Sequence, residues 1–319
     1  MRLGALAGLV LLGILSSSLA FAADLKVVSF NIQFLGQSES RRNADLADML
    51  SRFDLVFVQE LLAPPYAGHF PNGSSFVPDP DATAFFDAMQ TEGFEYVLSE
   101  EDTGPGPTIH LNSSATEWFV AFYKPHRVSP AEALPHGFLA RDRSDNRHFD
   151  RVPYAFAFEV GNADLVFISV HLRPDAGPDN RARRIEELDA IVSWVGEQDG
   201  AERDFIILGD MNFQNCAEVE ANLPDGMATL NSRCQATNVK PDAGKPFDQV
   251  FYWTEDSSNE LRTQRGITVI NLIDEMHRRW TGAASAFPGA PYNHDRFRVL
   301  YSDHNPVRFA VRTDQPDDD

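Results

Sequence analysis

Eight polar residues of this chain stand at the ends of apolar runs: Asn31, Glu60, His171, Asp210, Asn212, Asp248, Asp303 and His304. The stretch Asp204 to Phe213, reading D-F-I-I-L-G-D-M-N-F, shows the pattern most plainly. Phe205 to Leu208 read as a strand buried on both faces, and the run stops at Gly209. If the backbone stays extended past Gly209, Asp210 and Asn212 project from one face, a carboxylate beside a carboxamide. Such a pair can hold a hard cation or a phosphate oxygen, because one group only accepts while the other also donates. Taken alone, the pair reads equally as an Asp/Asn turn closing a strand, and a lone histidine at a strand end is more often structural than catalytic. Taken together, the eight supply oxygen donors for a divalent cation, an acid/base pair and ligands for phosphate. No thiolate or histidine-rich cluster points to zinc.

Several elements must position these groups. Leu25 to Phe34 reads as a strand carrying Asn31, and Asp54 to Glu60 as a second, buried strand ending on a carboxylate. Leu165 to Leu172 places His171 at its end, Phe247 to Trp253 has Asp248 at its start, and Tyr301 to Pro306 leads into a strand at Val307 to Val311. Phe94 to Leu98, Trp118 to Tyr123, Pro153 to Val160 and Gly266 to Leu272 are further strand candidates. Apolar spacing predicts helices at Arg41 to Arg52, Ala82 to Thr91 and Ala182 to Val195. Loops are expected at Ala63 to Pro80, Ser99 to Ser114 and around the cysteines. The strand count and helix placement predict an α/β fold, a four-layer sandwich of two packed mixed β-sheets flanked by helices.

The first 23 residues, with Arg2, an apolar stretch from Leu3 to Leu15 and the small-residue end Ala20-Phe21-Ala22, read as a signal peptide. The expectation is a secreted or periplasmic protein with no stable membrane insertion after cleavage, residues 24–312 forming the working domain and the acidic tail 313–319 disordered. In an exported chain Cys216 and Cys234, eighteen apart, are expected to pair rather than to serve a zinc shell. The closed loop would be worth about 3 kcal/mol. A formal charge of −20 argues against a general polyanion binder. Arginines nevertheless cluster at Arg141, Arg143, Arg147 and Arg151 and again at Arg173, Arg181, Arg183 and Arg184, a local basic lining compatible with a phosphate-bearing substrate. Solvated charges on helix and loop are the plainer reading of about half of them.

S-F-N-I-Q at 29–33, V-Q-E at 58–60, S-V-H-L at 169–172, G-D-M-N at 209–212 and S-D-H-N-P at 302–306 resemble, in order, the motifs of the endonuclease/exonuclease/phosphatase superfamily. The likeness spans essentially all of the chain after the leader. It implies a four-layer sandwich and Mg²⁺-dependent cleavage of phosphate esters. The oxygen donors among the candidate ligands lead to Mn²⁺ as the expected substitute, and the acidic loops to Ca²⁺ as a stabilising ion with no site assigned. Carried over by motif, Asn31, Glu60 and Asp303 would hold the cation, while Asp210 and Asn212 would position the phosphate and the attacking water. His304, oriented by Asp248, would be the general base, and His171 would bind phosphate or assist the leaving group. Within the superfamily the chain looks most like the secreted pancreatic-type deoxyribonucleases. That likeness implies that Glu117 orients His171, that Arg151 in F-D-R-V-P contacts DNA phosphate, and that Cys216 and Cys234 form the structural disulfide. The tyrosine that group uses on DNA is here Ala115, a departure that bears on base and sugar stacking. The expected activity is a monomeric endonuclease acting on DNA or RNA without a protein partner. The alternatives are a phosphatase or lipid phosphodiesterase on the same site, or a binding protein that kept the fold and lost catalysis.

Overall fold

In a computed structural model, described here for residues 24–314 except 39, 104–115, 142–145, 199, 201, 241, 282–286 and 289–291, two mixed β-sheets pack face to face. The leader, Arg143, Ala115 and residues 315–319 lie outside the described residues. Thr313 and Asp314, expected in the disordered tail, are placed: Thr313 is buried and Asp314 pairs with Arg262 and Arg312.

One sheet runs in the order Thr268–Val269, Val307–Val311, Leu25–Leu35, Leu55–Leu61, Trp118–Tyr123, Glu95–Leu98. The other runs Met227–Thr229, Asp248–Trp253, Phe205–Asp210, Ala163–His171, Tyr154–Val160, Ser129–Pro130, with Gly137–Phe138 also paired to Tyr154–Val160. Each has a parallel pair at its centre, 25–35 with 55–61 and 163–171 with 205–210, and the remaining pairs are antiparallel. Alternation decides what each strand buries. Val28, Phe30, Val56, Val58, Val120 and Phe122 pack outward on the helices Asn43–Leu50, Pro80–Thr91, Leu272–Arg279 and His294–Leu300. Val27, Phe57, Phe119, Phe158, Phe167, Ile206, Leu208 and Val250 fill the space between the sheets. Val166, Ile168, Val170 and Ile207 pack under the helix Pro178–Gly196. Phe57 lies 5.6, 6.4 and 5.0 Å from the rings of Phe156, Phe158 and Phe167, so one aromatic side chain binds the sheets together. The expected four layers are present.

Several local expectations are corrected. The segment 63–80 contains a small hairpin, Gly68–His69 with Ser75–Phe76. The cysteine loop contains a helix, Cys216–Ala221, and the strand Met227–Thr229; Cys216 and Cys234 are disulfide-bonded. Of Gly266 to Leu272 only Thr268–Val269 is strand, because Asn271 caps a helix that Leu272 opens, its side chain accepting from Asp274 N. The helix His294–Leu300 has the same kind of start at Asn293.

Gly209 is indispensable to this geometry. Its φ is +135°, and a Cβ there would stand 2.1 Å from the carbonyl oxygen of Val170 on the neighbouring strand. Gly209→Ala is expected to cost more than about 2 kcal/mol, by strain and by forcing the central pair apart. Urea melts measure this, and a variant as stable as the wild type would contradict it.

Candidate active site

The site is the polar continuation of the stripe that fills the inter-sheet core. Along 163–171 the inward positions are Leu165, Phe167, Ser169 and His171; along 205–210 they are Ile206, Leu208 and Asp210. The same count from Val27 leads to Ser29 and Asn31, from Phe119 back to Glu117, and from Val250 back to Asp248. Register then sets them side by side, His171 opposite Asp210 and Asp210 opposite Asp248. Just beneath, Ser29 donates to Gln59 and Gln59 to Ser169 (3.4 and 3.0 Å), a buried polar bridge from one sheet to the other.

Glu60 breaks the alternation. Counting from Val56 and Val58 it should face the helices, but its φ of +63° and a register shift after Val58 turn it toward the site. Asn212 likewise sits at φ +55°; the strand continues through Asp210 but does not stay extended to Asn212 as the two-residue spacing assumed. Its N–H donates to Asp210 Oδ1 and its amide to Leu172 O (3.0 and 3.1 Å): the turn reading and the site reading hold together.

At the centre is Asp210. Its Oδ2 accepts from Asn31 Nδ2 at 3.0 Å and lies 3.7 Å from His171 Nε2 and 3.5 Å from His304 Nε2. Each imidazole is held from behind by a buried carboxylate. His304 Nδ1 is 2.9 Å from Asp248 Oδ2, and His171 Nδ1 is 3.2 and 3.3 Å from the two oxygens of Glu117. Glu117 also accepts from Glu60 N (2.7 Å) and faces Arg151 Nε (3.3 Å). Burial pushes His304 down, yet the carboxylates of Asp248 and Asp210 outweigh it and hold the imidazole well above its ordinary value. In His171 burial and Arg151 lower the pKa, but Glu117 and Asp210 carry it above the ordinary value. Burial likewise pushes Glu117 up, but His171 and Arg151 bring it below the usual carboxylate range. Glu60 stays above that range because burial prevails.

Ligand atoms of Glu60, His171 and Asp210 lie within 4.8 Å of one another, the one such acidic or histidine group among the described residues. Asn31 Nδ2 donates to Glu60 Oε1 (2.9 Å) as well as to Asp210, standing where positive charge is wanted between two buried carboxylates. This donor set fits a hard divalent cation, with Glu60 and Asp210 as its oxygen ligands. Two residues expected in that ligand set, Asn31 and Asp303, have other partners here. Asn31 Oδ1 is taken by Gln33 N (3.0 Å), so the amide presents its nitrogen. Asp303 is outside the group, and its carboxylate accepts from Arg298 Nη2 at 2.8 Å.

In the second arginine cluster, Arg173, Arg183 and Arg184 are committed to protein groups. Arg184 is fully buried and donates to Glu218 and to the carbonyls of Arg173 and Asp175. Arg173 and Arg183 both pair with Asp150. Arg151 is buried against Glu117, within the site rather than along an open groove.

Two positioning residues have no simple sequence signal. Arg41, its side chain shielded from solvent, donates to the carbonyls of Ile32, Gln33 and Tyr301 and to Asp81, fixing both the turn after Asn31 and the approach to Asp303 and His304. Glu187, on the long helix, accepts from Asp150 N and Arg173 N (2.9 and 2.7 Å), tying down the segments that carry Arg151 and follow His171. Burial pushes its carboxyl up to about 7. The folded chain therefore keeps this proton after the unfolded chain, at the ordinary glutamate value of 4.5, has lost it. Stability should fall by about 3 kcal/mol as pH rises from about 4.5 to about 7. Glu187→Gln should flatten that decline in urea midpoints, and parallel curves for the two proteins would contradict it.

The model of the Endonuclease/Exonuclease/phosphatase family matches residues 28–304. No curated protein sequence matches the chain. Among solved structures, an endonuclease/exonuclease/phosphatase family protein from Leptotrichia buccalis shares 13% identity, covering 90% of this chain and 99% of its own, with TM-score 0.57. The 3′ phosphatase NExo from Neisseria, bound to a product DNA hairpin, shares 14% identity over 90% and 99%, with TM-score 0.54. D. rerio TDP2 with a single-strand DNA product shares 13% over 91% and 99%, with TM-score 0.52. With that match spanning the strand of Asn31 through His304, the chain belongs to the endonuclease/exonuclease/phosphatase family.

Proposed function

We propose that this protein is an exported phosphodiesterase that hydrolyses DNA with a divalent cation, Mg²⁺ first. The observation that carries the reading is the pair of imidazoles, each backed at Nδ1 by a buried carboxylate and each turning Nε2 to Asp210. Neither a structural strand end nor a binding surface calls for two such pairs on one carboxylate. A cation on Glu60 and Asp210 would offset charge developing on the phosphoryl and leaving oxygens. His304 Nε2 takes the proton of the attacking water, and Asp248 fixes the tautomer and stabilises the imidazolium. His171, backed by Glu117, holds a phosphate oxygen or gives its proton to the leaving oxygen. Asn31, Asn212 and Arg151 are donors set in place before reaction. The P–O bond to the leaving group breaks, leaving a phosphomonoester and an alcohol.

Export is supported by the leader-like first 23 residues and by the Cys216–Cys234 disulfide. The pancreatic-type affinity is supported by that disulfide and by the contacts of Glu117 with His171 and Arg151. Two of the similar structures hold DNA products, which makes nucleic acid the class to test first. A second reading, a phosphatase or lipid phosphodiesterase, is favoured by the arginines: Arg173, Arg183 and Arg184 are committed to carboxylates, so few remain to track a polyanion. The test is turnover of plasmid DNA, RNA, sphingomyelin and a simple phosphomonoester with Mg²⁺ at two salt concentrations. Nicking of plasmid that weakens with salt supports the nuclease. Turnover of the lipid or monoester alone would replace it with the second reading.

A further inference from the structure

The two imidazoles of the site are held in different ways. Glu117 meets His171 Nδ1 with both of its oxygens, at 3.2 and 3.3 Å. Asp248 reaches His304 Nδ1 through Oδ2 at 2.9 Å, and its Oδ1 makes no hydrogen bond. A single hydrogen bond fixes one atom of a ring and leaves the plane free to swing about it. Such a swing would carry Nε2 away from Asp210 Oδ2, which it faces at 3.5 Å. The second restraint is the half-buried ring of Phe247, its centroid 5.6 Å from that of His304 and its plane 31° away. That separation is within the range of offset aromatic contact.

The backbone beneath Phe247 is pinned on both sides of the site. Its carbonyl accepts from Met211 N at 2.8 Å, between Asp210 and Asn212. Next to it, Asp248 N donates to Thr237 Oγ1 at 2.9 Å, and Thr237 O accepts from Asn305 N, the residue after His304, at 2.6 Å. Lys245 Nζ lies 5.4 Å from the Phe247 centroid and is itself tied to Gln214 Oε1 at 2.5 Å. We infer that Phe247 is a positioning residue for the general base: its ring sets the plane of the His304 imidazole while Asp248 holds Nδ1, so that Nε2 stays turned to Asp210. The inference rests on the reading of His304 as the base. Misplacement of a reacting group by about 1 Å can cost on the order of 10² in rate.

The test uses whichever of plasmid DNA, RNA, sphingomyelin and the phosphomonoester the wild type turns over fastest. Phe247→Ala should lower kcat about 10- to 100-fold and change KM by less than about threefold. Phe247→Leu keeps apolar bulk without a flat face and should lose at least about fivefold in kcat, whereas Phe247→Tyr should stay within about threefold of the wild type. In a His304→Ala background the further change Phe247→Ala should cost less than about twofold, because residues that act through one another are not additive. The same penalty in both backgrounds would show a merely structural ring and overturn the inference, leaving His304 as the base. A penalty confined to KM would make the ring a substrate contact and overturn it as well. If His304→Ala keeps its activity, the reading of the base falls and the inference with it.

Discussion

His304→Ala is expected to lower turnover of a phosphodiester by about 10²- to 10⁴-fold, the range for removal of a positioned base. His171→Ala should lose at least about 10²-fold. Because His304 is held above its ordinary value chiefly by Asp248 against burial, the rising limb of kcat/KM with pH should lie above the usual histidine range. Asp248→Asn should lower the rate and shift that limb to lower pH. Stability must be measured alongside, since His304→Ala strands the buried charge of Asp248, a loss on the order of 3 kcal/mol. The double variant His304→Asn/Asp248→Asn should recover stability without activity. Losses below tenfold in both histidine variants would show the two pairs to be structural.

Exhaustive chelation is expected to abolish activity, with Mg²⁺ or Mn²⁺ restoring it, because the fitting ligands are carboxylate oxygens. A readout independent of turnover comes from linkage: a cation present at 100 times its Kd should add about 2.7 kcal/mol to the folded state. Glu60→Gln should remove most of that gain and most of the rate. Full activity after chelation, or the same stabilisation in Glu60→Gln, would contradict the cation assignment.

The sheets were legible because their strands are apolar runs of β-forming residues, and most of the site because its residues end those runs. Inward-facing Asn31, His171, Asp210 and Asp248 follow the period of the core they continue. Glu60 and Asn212 lie at the right places in the chain but reach the site through left-handed backbone that no periodicity reports. Arg41 and Glu187 act through backbone carbonyls and amides distant in sequence, so their roles exist only once the chain is folded. The second arginine cluster is a like case: composition shows its charge, but not that Asp150 and Glu218 pair with Arg173, Arg183 and Arg184. The helices at Leu272–Arg279 and His294–Leu300 are only about two turns long, too short for a clear period, and their asparagine caps were the available signal.

The account's central claim is that this site directs water onto phosphorus. Hydrolysis of a phosphodiester under single-turnover conditions in ¹⁸O-labelled water, with Mg²⁺ and the purified protein, tests it most directly. The account predicts one ¹⁸O atom in the phosphate of the product and none in the released alcohol, with the signal lost in His304→Ala. Label in the alcohol, no label in either product, or undiminished labelling in the variant would contradict it.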